Sequence, residues 1–185
     1  NALRVALMAQ EAGIAALALH GRTRADLYGG EAEYDTIREV KATLSIPVIA
    51  NGDIDSPKKA RAVLDYTGAD AVMIGRAAQG RPWIFREVDH YLRTGTRLPQ
   101  PSYAEMCDLL LEHLDDHYRF YGEHTGVRTA RKHIGWYVEG LPDAEGFRAR
   151  MNLIDNTADQ ARAVAQWFGQ LVHGPTRGAH ERLAA

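Results

Sequence analysis

The sequence has a single cysteine, Cys107. One thiol excludes an internal disulfide and fits a reducing, cytoplasmic setting. It falls in the apolar pattern of a helix and reads as a buried structural thiol. No apolar run approaches the ~18 residues that a membrane span requires. No basic–apolar–small pattern marks a signal peptide. No excess of one charge sign exists either: the net charge is −2. Residues 1–100 carry 13 basic and 12 acidic side chains, and residues 101–185 carry 9 and 12. Bulk charge therefore gives no support to nucleic-acid binding, and any such contact must rest on a local patch. GxSxG and Walker loops are absent. The eight histidines read as scattered, so no metal site is expected.

What is present is an alternation. Residues 1–12 carry Leu3, Leu7 and Met8 at helical spacing, and Gly13 ends that helix. The apolar run Ile14–Leu19 predicts a strand stopping at His20-Gly21-Arg22. A helix near Tyr34–Leu44 follows, broken by Pro47. Val48-Ile49-Ala50 predicts a second strand, ending at Asn51-Gly52-Asp53. Ser56-Pro57 opens a helix that Gly68 closes, and Ala71–Ile74 predicts a third strand, ending at Gly75-Arg76. Short strands apolar on both faces, each followed by glycine and polar residues, predict an α/β fold of parallel strands covered by helices. Function in such folds collects at the C-terminal ends of the strands, where all three polar clusters fall.

After Gly80 a helix runs through Trp83, Ile84, Val88 and Leu92, and residues 96–101 read as a linker. From Ser102 to about residue 172 the period is helical throughout and predicts a small bundle. Ser102 and Glu105 have capping-box spacing. Gly122 and Gly126 bracket a turn, and Val127, Ala130, Ile134 and Tyr137 stripe the next helix. A last helix is expected to turn Ala161, Val164, Ala165 and Phe168 inward. Residues 173–185 lack periodicity and are expected to form a tail.

Two readings of the strand ends stay open. Gly75-Arg76 could let backbone N–H groups and a guanidinium approach a phosphate, with Asn51-Gly52-Asp53 as the neighbouring wall. Both could equally be ordinary strand-to-helix turns. His20, Arg22 and Arg24 bring one imidazole and two guanidinium groups to the same rim, which suits an anionic ligand. In the helical half, Arg128, Arg131 and Lys132 fall within about 100° of arc, with no acid between Gly126 and Val138. This is either a solvated basic face or a salt-sensitive contact to RNA phosphates.

The runs LHGRTR (Leu19–Arg24), IPVIANGDI (Ile46–Ile54), ADAVMIGRAAQGRPWIF (Ala69–Phe85) and RTARKHIGWY (Arg128–Tyr137) together resemble the bacterial tRNA-dihydrouridine synthases, most closely the B type. The resemblance covers residues 1 to about 172. It implies that residues 1–95 are strands six to eight of an FMN-binding TIM (β/α)8 barrel and that residues 102–172 are a helical tRNA-binding domain. It implies FMN-dependent reduction of a uridine C5–C6 double bond in tRNA, with NADPH reducing the flavin. His20 would lie against the flavin. Asn51, Gly52 and Asp53 would line its ribityl and phosphate side, and Gly75 and Arg76 would hold the phosphate. Arg22, Arg128, Arg131, Lys132 and His133 would face tRNA. The family's proton-donating cysteine and its fifth-strand lysine are expected upstream of Asn1, since Cys107 does not match. The chain is therefore expected to be inactive alone, and its sheet edges are expected to be open to association. The full-length enzyme is expected to be a monomer. The alternatives are another flavin- or phosphate-binding barrel, such as a dihydroorotate dehydrogenase-like enzyme, and a non-enzymatic RNA-binding module.

Overall fold

The computed structural model describes residues 1–27 and 29–174. The chain divides into two compact units, Asn1–Pro99 and Gln100–Ala185. The tail expected at 173–185 lies, from residue 175 on, outside the described residues.

The first unit alternates helix and strand: α1 (Ala2–Glu11), β1 (Leu17–His20), α2 (Asp35–Thr43), β2 (Val48–Asn51), α3 (Pro57–Thr67), β3 (Ala71–Met73) and α4 (Ile84–Thr94). A short 3-10 turn, Arg76–Ala78, follows β3. The strands form one parallel sheet in the order β1-β2-β3. Local chemistry sets the joints. Ser56 caps α3 by accepting from the Lys59 N–H, Pro57 occupies its first turn, and Gly68 ends it at φ 68°. The Asp70 carboxylate accepts from Lys41 Nζ and from the Val48 N–H, both at 2.7 Å, and so ties α2 and the start of β2 to the turn before β3.

The strands are apolar on both faces, but helices cover only one. The core gathers Ile37, Val40, Val48, Ala50, Ala60, Val63 and Ile84 between the sheet and α2–α4. On the opposite face Ala18, His20, Ala71 and Met73 are exposed. The reason is topological. Right-handed crossovers between strands added in one direction place every helix on the same side. Among the described residues, β1 and β3 each have a partner strand on one side only.

The second unit holds α5 (Tyr103–Tyr137), α6 (Ala144–Met151) and α7 (Thr157–His173). The capping box at Ser102 and Glu105 is formed in both directions. Gly122, at φ 72° and ψ 172°, breaks α5 into two segments. The second segment folds back along the first, so that Thr129 reaches His117 and Tyr137 reaches His113. Gly126 is not part of that turn. It is buried inside the second segment, where an added Cβ would lie 3.1 Å from Tyr118 Cδ1. Its role is close packing. The inward stripe of α7 is also rotated from expectation. Ala165 is exposed, whereas Gln160 and Trp167 are buried. Gln160 is tolerated in the core because Tyr118 donates its hydroxyl to Oε1 and Nε2 donates to the Val127 carbonyl. Trp167 stacks on Phe147, with ring centroids 4.5 Å apart.

Candidate functional site

The parallel register places His20, Asn51 and Met73 in one row across the C-terminal ends of the three strands. Side-chain bonds cross-link that row. The His20 ring donates from Nδ1 to the Asn51 carbonyl at 3.2 Å, and Asn51 Nδ2 donates to the Met73 carbonyl at 2.7 Å. The three strand ends are thus one rigid rim. All six residues expected to contact a cofactor, His20, Asn51, Gly52, Asp53, Gly75 and Arg76, line one cavity of about 540 Å³ beside it. Met73 lines it too, which periodicity alone did not indicate.

Behind the rim, the loop after β1 is clamped to the loop after β2. Arg22 donates from both terminal nitrogens to Asp53, at 2.8 and 2.7 Å. It also donates to the carbonyls of Gly29 and Gly30. Its side chain is 3% exposed. The expectation that Arg22 meets tRNA is therefore corrected: the guanidinium is consumed inside the loop. Asp53 in turn accepts from the Ala32 N–H at 2.8 Å. These bonds hold it at φ 46°, a conformation uncommon for a residue with a Cβ. The Arg22 hydrogen bonds also hold the Asp53 carboxyl below the usual carboxylate range. Its Oδ1, shared with Arg22, also lies 3.4 Å from Arg76 Nη2. The clamp needs two glycines. A Cβ on Gly21 would lie 2.2 Å from the Glu33 carbonyl oxygen, and one on Gly52, at φ 128°, would lie 2.7 Å from Ala32 Cβ.

Gly75 differs from both. Its φ is −100°, and an added Cβ would meet nothing within 4 Å. Protein packing does not demand glycine there. The position opens onto the cavity, beside the exposed Arg76 guanidinium. Open backbone next to an arginine fork held by a carboxylate suits a phosphate monoester.

In the helical unit the expected basic face is reduced. Arg128 and Lys132 are exposed, and Lys132 Nζ lies 5.0 Å from the Trp136 ring centre. Arg131 turns inward and donates to the Ile154 carbonyl at 2.9 Å. His133 is half-buried, 4.9 Å from the His113 ring and 5.1 Å from the His117 ring. Neither belongs to the outward face: Arg131 packs toward Ile154 on one flank, and His133 packs against His113 and His117 on the other. The same cluster bears on the expectation of no metal-ligating set. His113, His117 and His133 each bring a nitrogen within 4.8 Å of the other two. The spacing of His113 and His117, one helical turn apart, was a signal in the sequence.

Among the described residues no helix is long and apolar enough to cross a membrane. A family model described as dihydrouridine synthase matches residues 1–172. That span includes the helical unit and removes the dihydroorotate dehydrogenase-like alternative. The chain is 60% identical over 170 residues to tRNA-dihydrouridine synthase B of Pseudomonas aeruginosa, covering 92% of this chain and 51% of that protein. It is 57% identical over 185 residues to the protein of the same name from Pseudomonas syringae, covering 100% and 55%. For that of Shewanella oneidensis the identity is 56% over 172 residues, covering 93% and 53%. The chain thus spans about half the length of these curated relatives. With a family match over residues 1–172, nearly its whole length, the chain belongs to the dihydrouridine synthase family.

Proposed function

We propose that this chain forms the phosphate-holding wall of an FMN site, and part of the RNA-contacting surface, of a tRNA-dihydrouridine synthase of the B type. Its three parallel βα units are strands six to eight of a (β/α)8 barrel, whose last strands commonly build a phosphate site. The observation that carries the reading is the convergence of the six residues on one cavity with open backbone at Gly75.

The residues divide the work. Gly75 leaves its backbone accessible, and Arg76 supplies the guanidinium donors. Asp53 positions Arg76, and Arg22 keeps Asp53 ionised and fixed. His20 spends Nδ1–H on the Asn51 carbonyl, which leaves Nε2 for a ligand in the cavity it lines. Bound FMN would supply the hydride that reduces a uridine C5–C6 double bond, with NADPH as its reductant. No residue of this chain takes the proton-donor role. Cys107 belongs to the helical unit, and burial, with help from Asp108, pushes its thiol above the ordinary range.

The test compares FMN with riboflavin in a protein of the relatives' full length. Arg76→Ala is expected to weaken FMN by about ten- to a hundredfold, the worth of charge-assisted hydrogen bonds, and to leave riboflavin affinity unchanged. Equal losses for both flavins would refute the phosphate role. Binding of tRNA with no flavin binding would favour the non-enzymatic RNA-binding module.

The RNA contact is assigned to Arg128 and Lys132. The double variant Arg128→Ala/Lys132→Ala is expected to weaken tRNA binding and to flatten the plot of log affinity against log salt by about 2 in slope. An unchanged slope would remove the assignment. Arg131→Ala is a poor probe of this, since it releases the Ile154 carbonyl.

A further inference from the structure

We infer that His113, His117 and His133 form a binding site for a divalent transition-metal ion of the zinc class, which fastens the two segments of α5 across the break at Gly122. The inference is independent of the flavin reading. His113 and His117 lie one turn apart on the first segment, so their rings share a face. His133 comes from the second segment, folded back by Gly122. One nitrogen from each ring lies within 4.8 Å of the other two. Nitrogens bound to a tetrahedral ion at about 2.0–2.1 Å lie roughly 3.4 Å apart. Closing on an ion therefore asks each ring to move by about an ångström, which side-chain rotation supplies.

The surroundings are those of ligands. Metal-bound histidines usually engage their second ring nitrogen in a hydrogen bond that fixes ring and tautomer. His117 Nε2 lies 2.7 Å from Thr129 Oγ1. The Thr129 hydroxyl donates its one proton to the Thr125 carbonyl at 2.8 Å. With its proton so placed it accepts from His117 Nε2–H, and His117 presents Nδ1 as its lone-pair nitrogen. His113 Nδ1 lies 3.4 Å from the Tyr137 hydroxyl. Burial, then the neighbouring rings, also pushes His117 and His133 below the ordinary imidazole range, toward the neutral form that ligates. Three imidazoles select zinc, cobalt, nickel or copper over magnesium and calcium. They leave a fourth position for water.

The experiment uses the untagged chain, freed of metal by chelation and titrated with zinc chloride, cobalt chloride and magnesium chloride. One zinc ion per chain is expected by calorimetry, with a rise in the melting temperature on zinc and none on magnesium. Cobalt is expected to give the intense visible bands of a four-coordinate ion. His113→Gln and His133→Gln are each expected to weaken zinc by more than tenfold, and Thr129→Val by about ten- to a hundredfold. His90→Gln, in the first unit, serves as the unaffected control. His133→Cys exchanges one ligand for another and is expected to keep the site, with an added sulfur-to-cobalt charge-transfer band. It keeps the test decisive if a glutamine variant fails to fold. Absence of zinc binding at millimolar concentration would overturn the inference and leave the cluster as packed rings. Stoichiometric binding that survives His113→Gln and His133→Gln would also overturn it.

Discussion

Gly52→Ala is expected to destabilise the first unit by about 3 kcal/mol or more, through two costs that add. The backbone at Gly52 sits at φ 128°, where an L-residue is strained. The new methyl would also lie 2.7 Å from Ala32 Cβ and 3.2 Å from His20 Nδ1. Neither neighbour can retreat freely. Ala32 is pinned because its N–H donates to Asp53, and His20 because its ring is bonded to Asn51. In a unit of this size the loss corresponds to a fall of roughly 12–24 °C in melting temperature. Gly75→Ala is the contrast, because its φ is negative and its Cβ would meet open space. It should cost clearly less than Gly52→Ala, since it adds no clash. Calorimetric melting of the two variants decides the matter: similar small changes in both would mean that the clamp behind the cavity is looser than its bonds imply.

The second large effect is expected at Phe168. This ring is fully buried and meets Trp167 edge-on at 5.1 Å, and Trp167 is itself stacked on Phe147. Truncation to alanine removes the transfer free energy of the ring and leaves a cavity that α5 and α7 cannot close. The cost should be about 3–5 kcal/mol. Val172→Ala, near the end of the same helix and half-exposed, should cost less than about 0.5 kcal/mol. Urea titration followed by circular dichroism measures both. A Phe168→Ala loss below ~1 kcal/mol would show that the unit repacks around the gap.

Much of this architecture was legible from residues close together in sequence. β2 and β3 stood out because punctuation bounds them: Pro47 and the Asn51 cluster for one, Gly68 and Gly75 for the other. β1 begins three residues later than its apolar run suggested. Ile14, Ala15 and Ala16 are apolar and carry no mark that separates a strand from the turn leading into it. The cavity's lining was legible because parallel strands deliver their C-terminal ends to one place. The clamp was not. Arg22 meets Asp53 across 31 residues, and local sequence shows only a basic residue beside other basic residues. The inward turns of Arg131 and His133 escaped for the same reason, since a helical wheel reports direction but not the partner that claims a flanking side chain. Gln160 entered the core against its polarity because Tyr118 and Val127 supply its bonds.

The break at Gly122 has one more consequence. Its φ of 72° and ψ of 172° lie in a region almost reserved for glycine, and nothing lies within 4 Å of where a Cβ would stand. The demand is on the dihedral angles alone. Any side chain at this position favours a straight α5, whose apolar stripes would then find their complement on a second molecule through domain exchange. One peptide unit therefore decides whether this helical unit closes on itself or is shared between two chains.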